Sequence, residues 1–437
     1  MAEAVSGRKN IVVGVGGGIA AYKVGSVIRH FTEAGHGVRV IPTESALKFV
    51  GAATFEALSG NPVSTEVFDD VPQVAHVRLG QEADLVIIAP ATADLMARAA
   101  SGRADDLLTS TLLTARCPVM FVPAMHTEMW EHPATQTNVR TLREQGATVI
   151  TPASGRLTGV DSGAGRLPDP QEIALLGELL LERSDALPYD LRGVKFLISA
   201  GGTREPLDPV RYLGNRSSGK QGYALARAAA QRGAQVTLVA GATADLATPA
   251  GVELVRIKSA QELSEEMAKR APEIDVVIMA AAVADFRPVS VAESKIKKTG
   301  DGPAPIELTT NPDILAGLVR ARRSGEIPGE VSIVGFAAET GDEHHGVLDH
   351  GRAKLARKGC DLLVVNAVGD GKAFGMDHNT GWVLAADGHE TALPLGTKTL
   401  MASRILDAVV AMRPDEGATR PGGGAPMVDL THNTKPV

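Results

Sequence analysis

The sequence has little cysteine, no excess of basic residues and no long hydrophobic run. Its two cysteines, Cys117 and Cys360, lie in or beside strand-like apolar runs, which favours buried thiols over a disulfide or metal pair. A formal net charge of −7 argues against nucleic-acid binding, which needs a basic face. No run is long enough for a membrane span, and the N-terminus lacks a signal-peptide pattern. We therefore predict a cytoplasmic protein without a nucleic-acid or membrane partner.

Short apolar runs alternate with helical patterns along the rest of the chain. Hydrophobic residues make up 44% of 437 residues, enough for two globular domains. The chain repeats itself loosely, since 34–40 resembles 232–238 and 83–91 resembles 274–282. Uninterrupted apolar strands between helices are typical of parallel sheets covered on both faces. The predicted fold class is therefore α/β, with two doubly wound Rossmann-like domains.

The predicted domain boundaries follow changes in composition. The first domain covers 1–183 and the second covers 194–412, with a linker at 184–193 between them. After Met412 the chain turns to Pro, Gly and Asp, so 413–437 is predicted to be a disordered tail.

The segment Ser199–Gly222 is the most informative part of the chain. It follows a strand-like run and leads into a helical one, which is where an open α/β sheet places its ligand site. Residues 214–221 read GNRSSGKQ, one residue short of a Walker A loop, because Gln221 stands where Ser or Thr would hold Mg²⁺. Pro206 and Pro209 also rule out a strand running straight into the loop. The pattern predicts another kind of phosphate or nucleotide loop; the alternative is a polar surface turn.

A second glycine loop opens the chain, at Gly14–Gly18 between a strand and a helix start. It lacks the third glycine of the dinucleotide fingerprint, since Ile19 is there, and Thr43 follows the next strand instead of an acidic residue. Both departures disfavour an NAD(P) oxidoreductase. Helix N-terminal amides and a threonine hydroxyl suit a single phosphate monoester, such as that of FMN. The alternative is that these glycines only permit close strand-to-helix packing.

Other polar groups follow strand ends in the first half. Thr92 and His126 lie in the segments PATAD and PAMHTEMW. His76 precedes another strand, and a lone histidine is more often a hydrogen-bonded or solvated residue than a catalyst. The segment 154–166 is glycine-rich and carries two arginines, which predicts a mobile flap over an anionic substrate; the alternative is an interdomain linker.

The second half carries an acidic residue and a run of lysines. Asp285 follows a strand and is a candidate for Mg²⁺ or a ribose hydroxyl. The segment 295–298, KIKK, is either a solvated face or a contact for a triphosphate. Lys354 and Lys358 share one helix face. The cluster 343–345, EHH, is interpreted as a solvated loop, because no second ligand pair stands at metal spacing.

Taken together and in order, these motifs resemble the bacterial bifunctional phosphopantothenoylcysteine decarboxylase/phosphopantothenate–cysteine ligases of coenzyme A biosynthesis. The resemblance covers the whole chain except the tail. The motifs that carry it are GGIAAYK (17–23), AHVRL (75–79), the Pro90 and Pro123 segments, GGTREP (201–206), NRSSGK (215–220), AAVAD (281–285) and KIKK (295–298).

For the second domain, the resemblance implies a Rossmann-like ligase that joins 4′-phosphopantothenate to L-cysteine with CTP and Mg²⁺. The carboxylate would first become an acyl-cytidylate with release of pyrophosphate, and the cysteine amine would then displace CMP. Asn215 and Lys295 would be catalytic, Arg211 would bind substrate, and Asp285 could reach the nucleotide through Mg²⁺. The implied CTP-binding residues are Asp285, Lys295, Pro312, Asp313, Ile314, Leu315, Phe336, Lys354 and Lys358. Lysines suit this chemistry because a breaking triphosphate concentrates negative charge.

For the first domain, the resemblance implies a flavodoxin-like flavoprotein that decarboxylates phosphopantothenoylcysteine to 4′-phosphopantetheine with FMN. The substrate thiol would be oxidised to a thioaldehyde, CO₂ would leave, and the reduced flavin would return the hydride. His76 would be the acid/base residue, His126 a second catalytic group, and Arg156 and Met125 substrate contacts. The implied FMN-binding residues are Gly17, Gly18, Ile19, Ala20, Thr43, Ser45, Thr92 and Ala124.

Two positions depart from the family pattern. His126 stands where the family often has asparagine. Thr158 stands where many members carry a flap cysteine that donates a proton, and a threonine hydroxyl is far less acidic than a thiol. We expect decarboxylation to proceed without an essential Thr158.

The resemblance also implies homo-oligomers, with trimers of flavin domains, dimers of ligase domains and, together, a dodecamer. Ligand sites would lie near subunit contacts. The alternative function is a flavin-binding regulatory protein without catalysis.

Overall fold

The computed structural model describes residues 7–65, 75–156, 162–297, 305–339, 346–367 and 378–413. Predictions on Thr158, Lys298, the 343–345 cluster and the tail beyond Arg413 therefore lie outside the described residues. Two sheets are present, each covered by helices on both faces, and each has its own hydrophobic clusters. The predicted α/β architecture with two doubly wound sheets is confirmed.

The first sheet is entirely parallel. Its strands are β1 (Asn10–Val15), β2 (Gly37–Pro42), β3 (Leu85–Ala91), β4 (Val119–Pro123) and β5 (Thr148–Val149), in the spatial order β2-β1-β3-β4-β5. Residues of β1 and β3 are buried on both faces, as their unbroken apolar runs predict. The chain order reverses between β1 and β3, which places the crevice for a ligand beyond the carboxyl end of β1.

Nine helices and one hairpin accompany this sheet in the described ranges up to residue 182. The helices are α1 (Ala21–Glu33), α2 (Glu44–Leu47), α3 (Ala52–Ser59), α4 (Ala75–Glu82), α5 (Ala93–Ala100), α6 (Leu107–Thr114), α7 (Thr127–Glu131), α8 (Pro133–Glu144) and α9 (Pro170–Glu182). The antiparallel hairpin consists of β6 (Ala153–Arg156) and β7 (Ser162–Arg166) and spans most of the predicted flap.

The second sheet has eight strands, and those at one edge are antiparallel. Its strands are β8 (Lys195–Ala200), β11 (Gln235–Ala240), β12 (Val252–Arg256), β13 (Val276–Met279), β16 (Ser332–Glu339), β17 (Leu362–Ala367), β18 (His378–Ala385) and β19 (Glu390–Thr397). The order is β12-β11-β8-β13-β16-β17-β18-β19, parallel as far as β17. Its order reverses between β8 and β13, so the segment after β8 also lies at a switch point.

Two small hairpins and five α-helices complete the described part of the second half. The hairpins pair β9 (Glu205–Pro206) with β10 (Tyr212–Leu213), and β14 (Phe286–Pro288) with β15 (Leu308–Thr310). The helices are α10 (Lys220–Gln231), α11 (Ala260–Arg270), α12 (Ile314–Ser324), α13 (Val347–Lys358) and α14 (Lys398–Met412). In α10, a Cβ added to Gly222 would lie 2.5 Å from Cβ of Ala200, so glycine lets this helix pack closely on β8.

The predicted linker is packed between the two halves. Ala186 and Leu187 belong to the first hydrophobic core, and Leu191 belongs to the second. The carboxylate of Asp407 in α14 pairs with both Arg183 and Arg232. These contacts join α9 to the last helix of the chain. No helix in the described part of the chain is long and apolar enough to span a membrane.

Candidate functional site

The first glycine loop lies at the switch point of the first sheet and has room only for glycine at two positions. A Cβ added to Gly16 would lie 2.3 Å from the carbonyl oxygen of Pro90, after β3. A Cβ added to Gly17 would lie 2.3 Å from Cβ of Ser45, in α2. Real Cβ contacts essentially never come this close, so the loop is pressed between the ends of β2 and β3. The loop therefore forms a close-packed cradle at the carboxyl end of the sheet, where the sequence predicts that FMN binds.

Two threonines of this cradle begin helices. Thr43 Oγ1 accepts a hydrogen bond from the Ala46 amide at 3.2 Å, and Thr92 Oγ1 accepts one from the Leu95 amide at 3.3 Å. Each hydroxyl keeps its own hydrogen, which it can donate to a phosphate. The loop and these two caps gather Gly17, Gly18, Thr43, Ser45 and Thr92 around one opening. Ile19 next to them is 67% exposed.

The loop after β4 is in direct contact with the flap hairpin. The Ala124 amide donates to the Ala91 carbonyl at 3.2 Å, which places Ala124 beside the end of β3. The Met125 amide donates to the Gly165 carbonyl at 2.9 Å, and Gly165 has a φ of +137°. A Cβ on Gly165 would lie 2.2 Å from the Met125 carbonyl oxygen, so β7 is seated directly on this loop. His126 caps α7 beside it and makes no side-chain hydrogen bond to that helix.

Two cations near the glycine loop were not anticipated. Burial and the positive charge of Arg166 in β7 lower the pKa of Lys23 in α1, while Asp169 opposes the shift. The two positive charges therefore repel each other, and an anion bound nearby would reduce that repulsion. Both residues lie in motifs that the sequence analysis names, but their electrostatic interaction depends on the tertiary structure and could not be predicted from those motifs.

His76 lies in α4, which is not one of the elements that form this cradle. It stands in the first turn of α4, where the hydroxyl of Thr114 in α6 donates to its carbonyl at 2.8 Å. A Cβ on Gly80 would lie 2.2 Å from Thr114 Oγ1, so α4 and α6 pack closely. Nδ1 of His76 is buried and has no hydrogen-bond partner among the described residues. Within those residues no hydrogen bond joins His76 to the glycine loop.

The second candidate site is a cleft of about 260 Å³ at the switch point of the second sheet. Its walls are the segment after β8, the β9–β10 hairpin, the NRSS loop and the second residue after β11. The lining residues are Gly202, Thr203, Arg204, Tyr212, Gly214, Asn215, Arg216, Ser217 and Ala242. The guanidinium of Arg204 stacks over the Tyr212 ring, 4.5 Å from its centroid. Two arginines in a cleft give an anion site.

Hydrogen bonds tie this cleft to the AAVAD segment. Nδ2 of Asn215 donates to the Val283 carbonyl at 2.8 Å, and the Ala284 amide donates to Thr203 Oγ1 at 3.0 Å. Asp285 follows directly and is exposed. The structure therefore brings Asn215 together with the AAVAD segment that ends at Asp285.

Arg211 is tied to the lysine segment. Its guanidinium donates to the Ile296 carbonyl at 2.5 Å, and the Ile296 amide donates to Asp208 at 3.1 Å. Asp208 also accepts from the amides of Val210 and Arg211, both at 2.8 Å. Buried Asp208 thus fixes the β9–β10 turn against the segment that carries the exposed Lys295.

The remaining predicted nucleotide residues divide between surface and core. Asp313 begins α12 by accepting from the Ala316 amide at 3.1 Å, and it pairs with Lys358 of α13. Ile314 is 6% exposed and belongs to the core, so it has only its backbone to offer a ligand. Leu315 also packs against that core. Phe336 lies on β16, near the same edge of the sheet.

A metal site held by protein groups alone is absent from the described ranges. They contain no cluster of three or more His, Cys, Asp or Glu side chains that could hold an ion. Mg²⁺ at phosphate sites is usually held by one or two carboxylates together with the phosphates of the substrate. The single carboxylate of Asp285 is compatible with Mg²⁺ that is held mainly by the phosphates of a substrate.

Comparisons with known proteins cover nearly all of the chain. Residues 191–412 match the DNA/pantothenate metabolism flavoprotein C-terminal domain family, and residues 2–176 match the Flavoprotein family. The coenzyme A biosynthesis bifunctional protein CoaBC of Mycobacterium tuberculosis is 70% identical over 402 residues, 92% of this chain and 96% of that protein. Its Bacillus subtilis counterpart is 41% identical over 414 residues, 94% of this chain and 98% of that protein.

Among solved structures, the C-terminal domain of a coenzyme A biosynthesis bifunctional protein CoaBC is similar. It is 37% identical and covers 51% of this chain and 97% of that one, with a TM-score of 0.42.

Proposed function

Because the chain belongs to the family of the coenzyme A biosynthesis bifunctional proteins CoaBC, we propose that it catalyses two consecutive steps of that pathway. Residues 194–412 ligate 4′-phosphopantothenate to L-cysteine, and residues 1–183 decarboxylate the product to 4′-phosphopantetheine. The observation that carries the proposal is that a glycine-containing loop follows a strand at the switch point of each sheet, the position where such sheets bind ligands.

The ligase cleft suits a phosphorylated carboxylate. Arg204 and Arg216 line it and supply fixed positive charge for the phosphate of 4′-phosphopantothenate. Nδ2 of Asn215 is bonded to the Val283 carbonyl, and the rest of its amide group is directed at the acyl group. A carboxylate is a poor electrophile, so it first attacks the α-phosphorus of CTP and releases pyrophosphate. The cysteine amine then attacks the acyl carbon, and CMP leaves.

Lysines in the chain segments that follow β13 and β16 offset the charge of the nucleotide. Lys295, Lys354 and Lys358 follow the ends of β13 and β16 in the chain, and the pairing of Lys358 with Asp313 fixes its position. Mg²⁺ enters with the triphosphate, with Asp285 as its protein contact. Replacing Lys358 by Met should raise the KM for CTP more than that for phosphopantothenate.

The first domain suits FMN. The phosphate of FMN would be held by the backbone amides of Gly17 and Gly18 and by the hydroxyls of Thr43, Ser45 and Thr92. Ala124 would lie beside the flavin ring. When bound, FMN supplies the two-electron oxidation and reduction that make loss of the substrate carboxylate possible. Arg156 on β6 and His126 bind and orient the anionic substrate. His76 exchanges the proton at the thiol.

The position of His76 supports a site shared between copies. His76 has no hydrogen bond to the glycine loop of its own chain in the described residues, and its buried Nδ1 lacks a partner. We infer that His76 of one copy serves the cradle of a neighbour, in trimers of the flavin domain. Co-expression of His76→Asn with Gly17→Val should restore decarboxylase activity that neither variant has alone. Two inactive variants that remain inactive together would contradict a shared site.

One experiment tests the two reactions together. The purified protein is incubated with 4′-phosphopantothenate, L-cysteine, CTP and Mg²⁺, and the products are resolved by mass. We expect pyrophosphate, CMP and 4′-phosphopantetheine, with phosphopantothenoylcysteine as the intermediate. A parallel sample with ATP tests the choice of nucleotide. Flavin absorbance near about 450 nm tests the first domain independently. A colourless protein that does not release pyrophosphate would contradict the proposal.

A further inference from the structure

We propose that Gln231, a residue of the second domain, positions the flap hairpin of the first domain and thereby sets the affinity of the decarboxylase for its substrate. The proposal rests on the decarboxylase function proposed above. The contact lies where the chain leaves the first sheet and enters β6. Gln231 does not touch the substrate; it accepts a hydrogen bond from Thr151 and so fixes the start of the hairpin.

The hairpin is anchored differently at its two ends. At the returning end, β7 is fixed within its own domain by the hydrogen bond between Met125 and Gly165. At the outgoing end, the Ile150 amide donates to the Phe121 carbonyl at 2.9 Å, which is the last such contact with the sheet. The next amide, of Thr151, donates to Oε1 of Gln231 at 2.8 Å. The second domain therefore supplies the final anchor before β6 begins at Ala153.

Gln231 is itself held rigidly. It is 2% exposed, and its Nε2 donates to the Ala250 carbonyl at 3.4 Å. The Ala250 amide in turn donates to both carboxylate oxygens of Glu172, at 3.1 and 3.2 Å. Because Ala250 is bonded on both sides, the Gln231 amide has one orientation, with its oxygen directed at Thr151. A buried amide fixed in this way can define the position of its partner.

The second domain also forms a wall beside β6. Ala153 and Ser154 line a cleft of about 360 Å³ whose other side is the segment 248–253. A Cβ added to Gly251 would lie 3.2 Å from Cγ2 of Thr151, so this segment closely approaches the start of the hairpin. Arg156, the predicted substrate contact, lies at the end of the same strand. Displacing Thr151 would therefore displace Arg156.

Gln231 ends α10, and α10 begins directly after the NRSSG loop of the ligase cleft. One helix therefore connects the cleft of the second domain with the hairpin of the first. A position at the helix end, away from the cleft, allows the decarboxylase role to be tested without altering ligase residues.

The test compares three variants of the full-length protein loaded with FMN. Gln231→Met keeps the size and removes the acceptor. Gln231→Glu keeps the size and an acceptor oxygen, and because a buried carboxyl favours its neutral form, its hydroxyl can still donate to the Ala250 carbonyl. Ser403→Ala is the matched control, because Ser403 makes a buried interdomain hydrogen bond, to the Ala186 carbonyl at 2.9 Å, that does not involve the hairpin.

Loss of one hydrogen bond should raise the decarboxylase KM of Gln231→Met about fivefold while kcat changes less than about twofold. Gln231→Glu should recover most of the affinity, and the ligase constants should not move. Three results would overturn the proposal: an unchanged KM in Gln231→Met, an equal defect in Gln231→Glu, or an equal rise in KM in Ser403→Ala.

A second measurement needs no turnover. Trypsin should cleave after Arg156 faster in Gln231→Met than in the wild type or in Ser403→Ala. Equal cleavage rates would count against the proposal even if KM changed. Should the wild type fail to decarboxylate its substrate, the proposed function fails, whereas the cleavage comparison still tests whether Gln231 holds the hairpin.

Discussion

The carboxylate of Glu172 lies 3.7 Å from Nε of Arg227, and this ion pair is buried between the two domains. Their side chains are 5% and 12% exposed. Burial raises the pKa of Glu172, and the charge of Arg227 opposes that rise. Burial also lowers the pKa of Arg227, with Glu172 opposing. Each charge thus compensates the desolvation of the other, and neither is stable there alone.

Breaking this pair from either side should cost more than removing both charges. Glu172→Gln and Arg227→Met should each lower the free energy of unfolding by about 3 kcal/mol, because a buried charge loses its partner. The double variant should lose less than the sum of the two. Urea unfolding of the three variants measures these differences. Strictly additive losses would show that the two side chains do not interact.

The same ion pair predicts how the stability of the Arg227→Met variant depends on pH. Without Arg227, the pKa of Glu172 should rise further above its ordinary value, since only the desolvation remains. A carboxyl group with a raised pKa in the folded state loses stability as pH increases through that range. The deficit of Arg227→Met relative to the wild type should therefore shrink as the pH falls towards about 5.

The sequence predicts the two sheets better than it predicts the contact between the two domains. Unbroken apolar runs such as Ile11–Val13 and Leu85–Ile88 could only be buried strands, and the structure buries them. Glu172 and Arg227, in contrast, look like ordinary charged residues of helix surfaces. Only the tertiary arrangement makes them buried. The antiparallel strands β18 and β19 were missed for a related reason: a strand with only one buried face has a weaker apolar signal than a fully buried parallel strand.

In the candidate sites, too, some features could be predicted from the sequence and others depend on tertiary contacts. Loops at strand ends were predicted because parallel strands bring their carboxyl ends to one edge. The electrostatic interaction of Lys23 with Arg166 could not be predicted, because it depends on where the tertiary structure places the hairpin. The core position of Ile314 is likewise a matter of which helix face packs inward.

Gly17 should be far less tolerant of a side chain than its neighbour Gly18. In Gly17→Ala, the new Cβ would lie 2.3 Å from Cβ of Ser45, whereas in Gly18→Ala its nearest neighbour is 3.8 Å away. The first change should displace α2 from the loop and weaken FMN binding about tenfold or more. The second should bind FMN nearly as the wild type does. Flavin titration by fluorescence measures both, and equal affinities would contradict the packing argument.

Asn215 should be required as a hydrogen-bond donor. Asn215→Asp keeps the size of the side chain but cannot donate to the Val283 carbonyl, and Asn215→Ala lacks the group altogether. Both variants should lower the kcat/KM of the ligase about tenfold or more, because the loop loses its link to the AAVAD segment. Steady-state pyrophosphate release measures this. Flavin content and decarboxylase activity of the same samples should equal those of the wild type. A fully active Asn215→Asp would show that the donated hydrogen bond is dispensable.

The contact between α1 and α9 should depend on pH through His30. Its Nε2 lies 2.7 Å from Oε1 of Glu178, and this hydrogen bond is the main cause that raises the pKa of His30, against a smaller opposing effect of burial. Because the folded state holds the proton more tightly, the stabilisation is complete below the ordinary pKa of 6.5 and is lost as the pH rises through the folded value.

The wild type should therefore exceed His30→Gln in Tm at about pH 5.5 by roughly 2 °C, and the difference should vanish by about pH 8.5. The pair is partly exposed, with side chains 35% and 31% accessible, so a larger effect is not expected. Glu178→Gln is the reciprocal control: without the carboxylate, replacing His30 should no longer change how Tm varies with pH. A Tm difference that is constant across this range, or one that grows with pH, would assign the stabilisation to packing of α1 on α9 and not to the protonated imidazole.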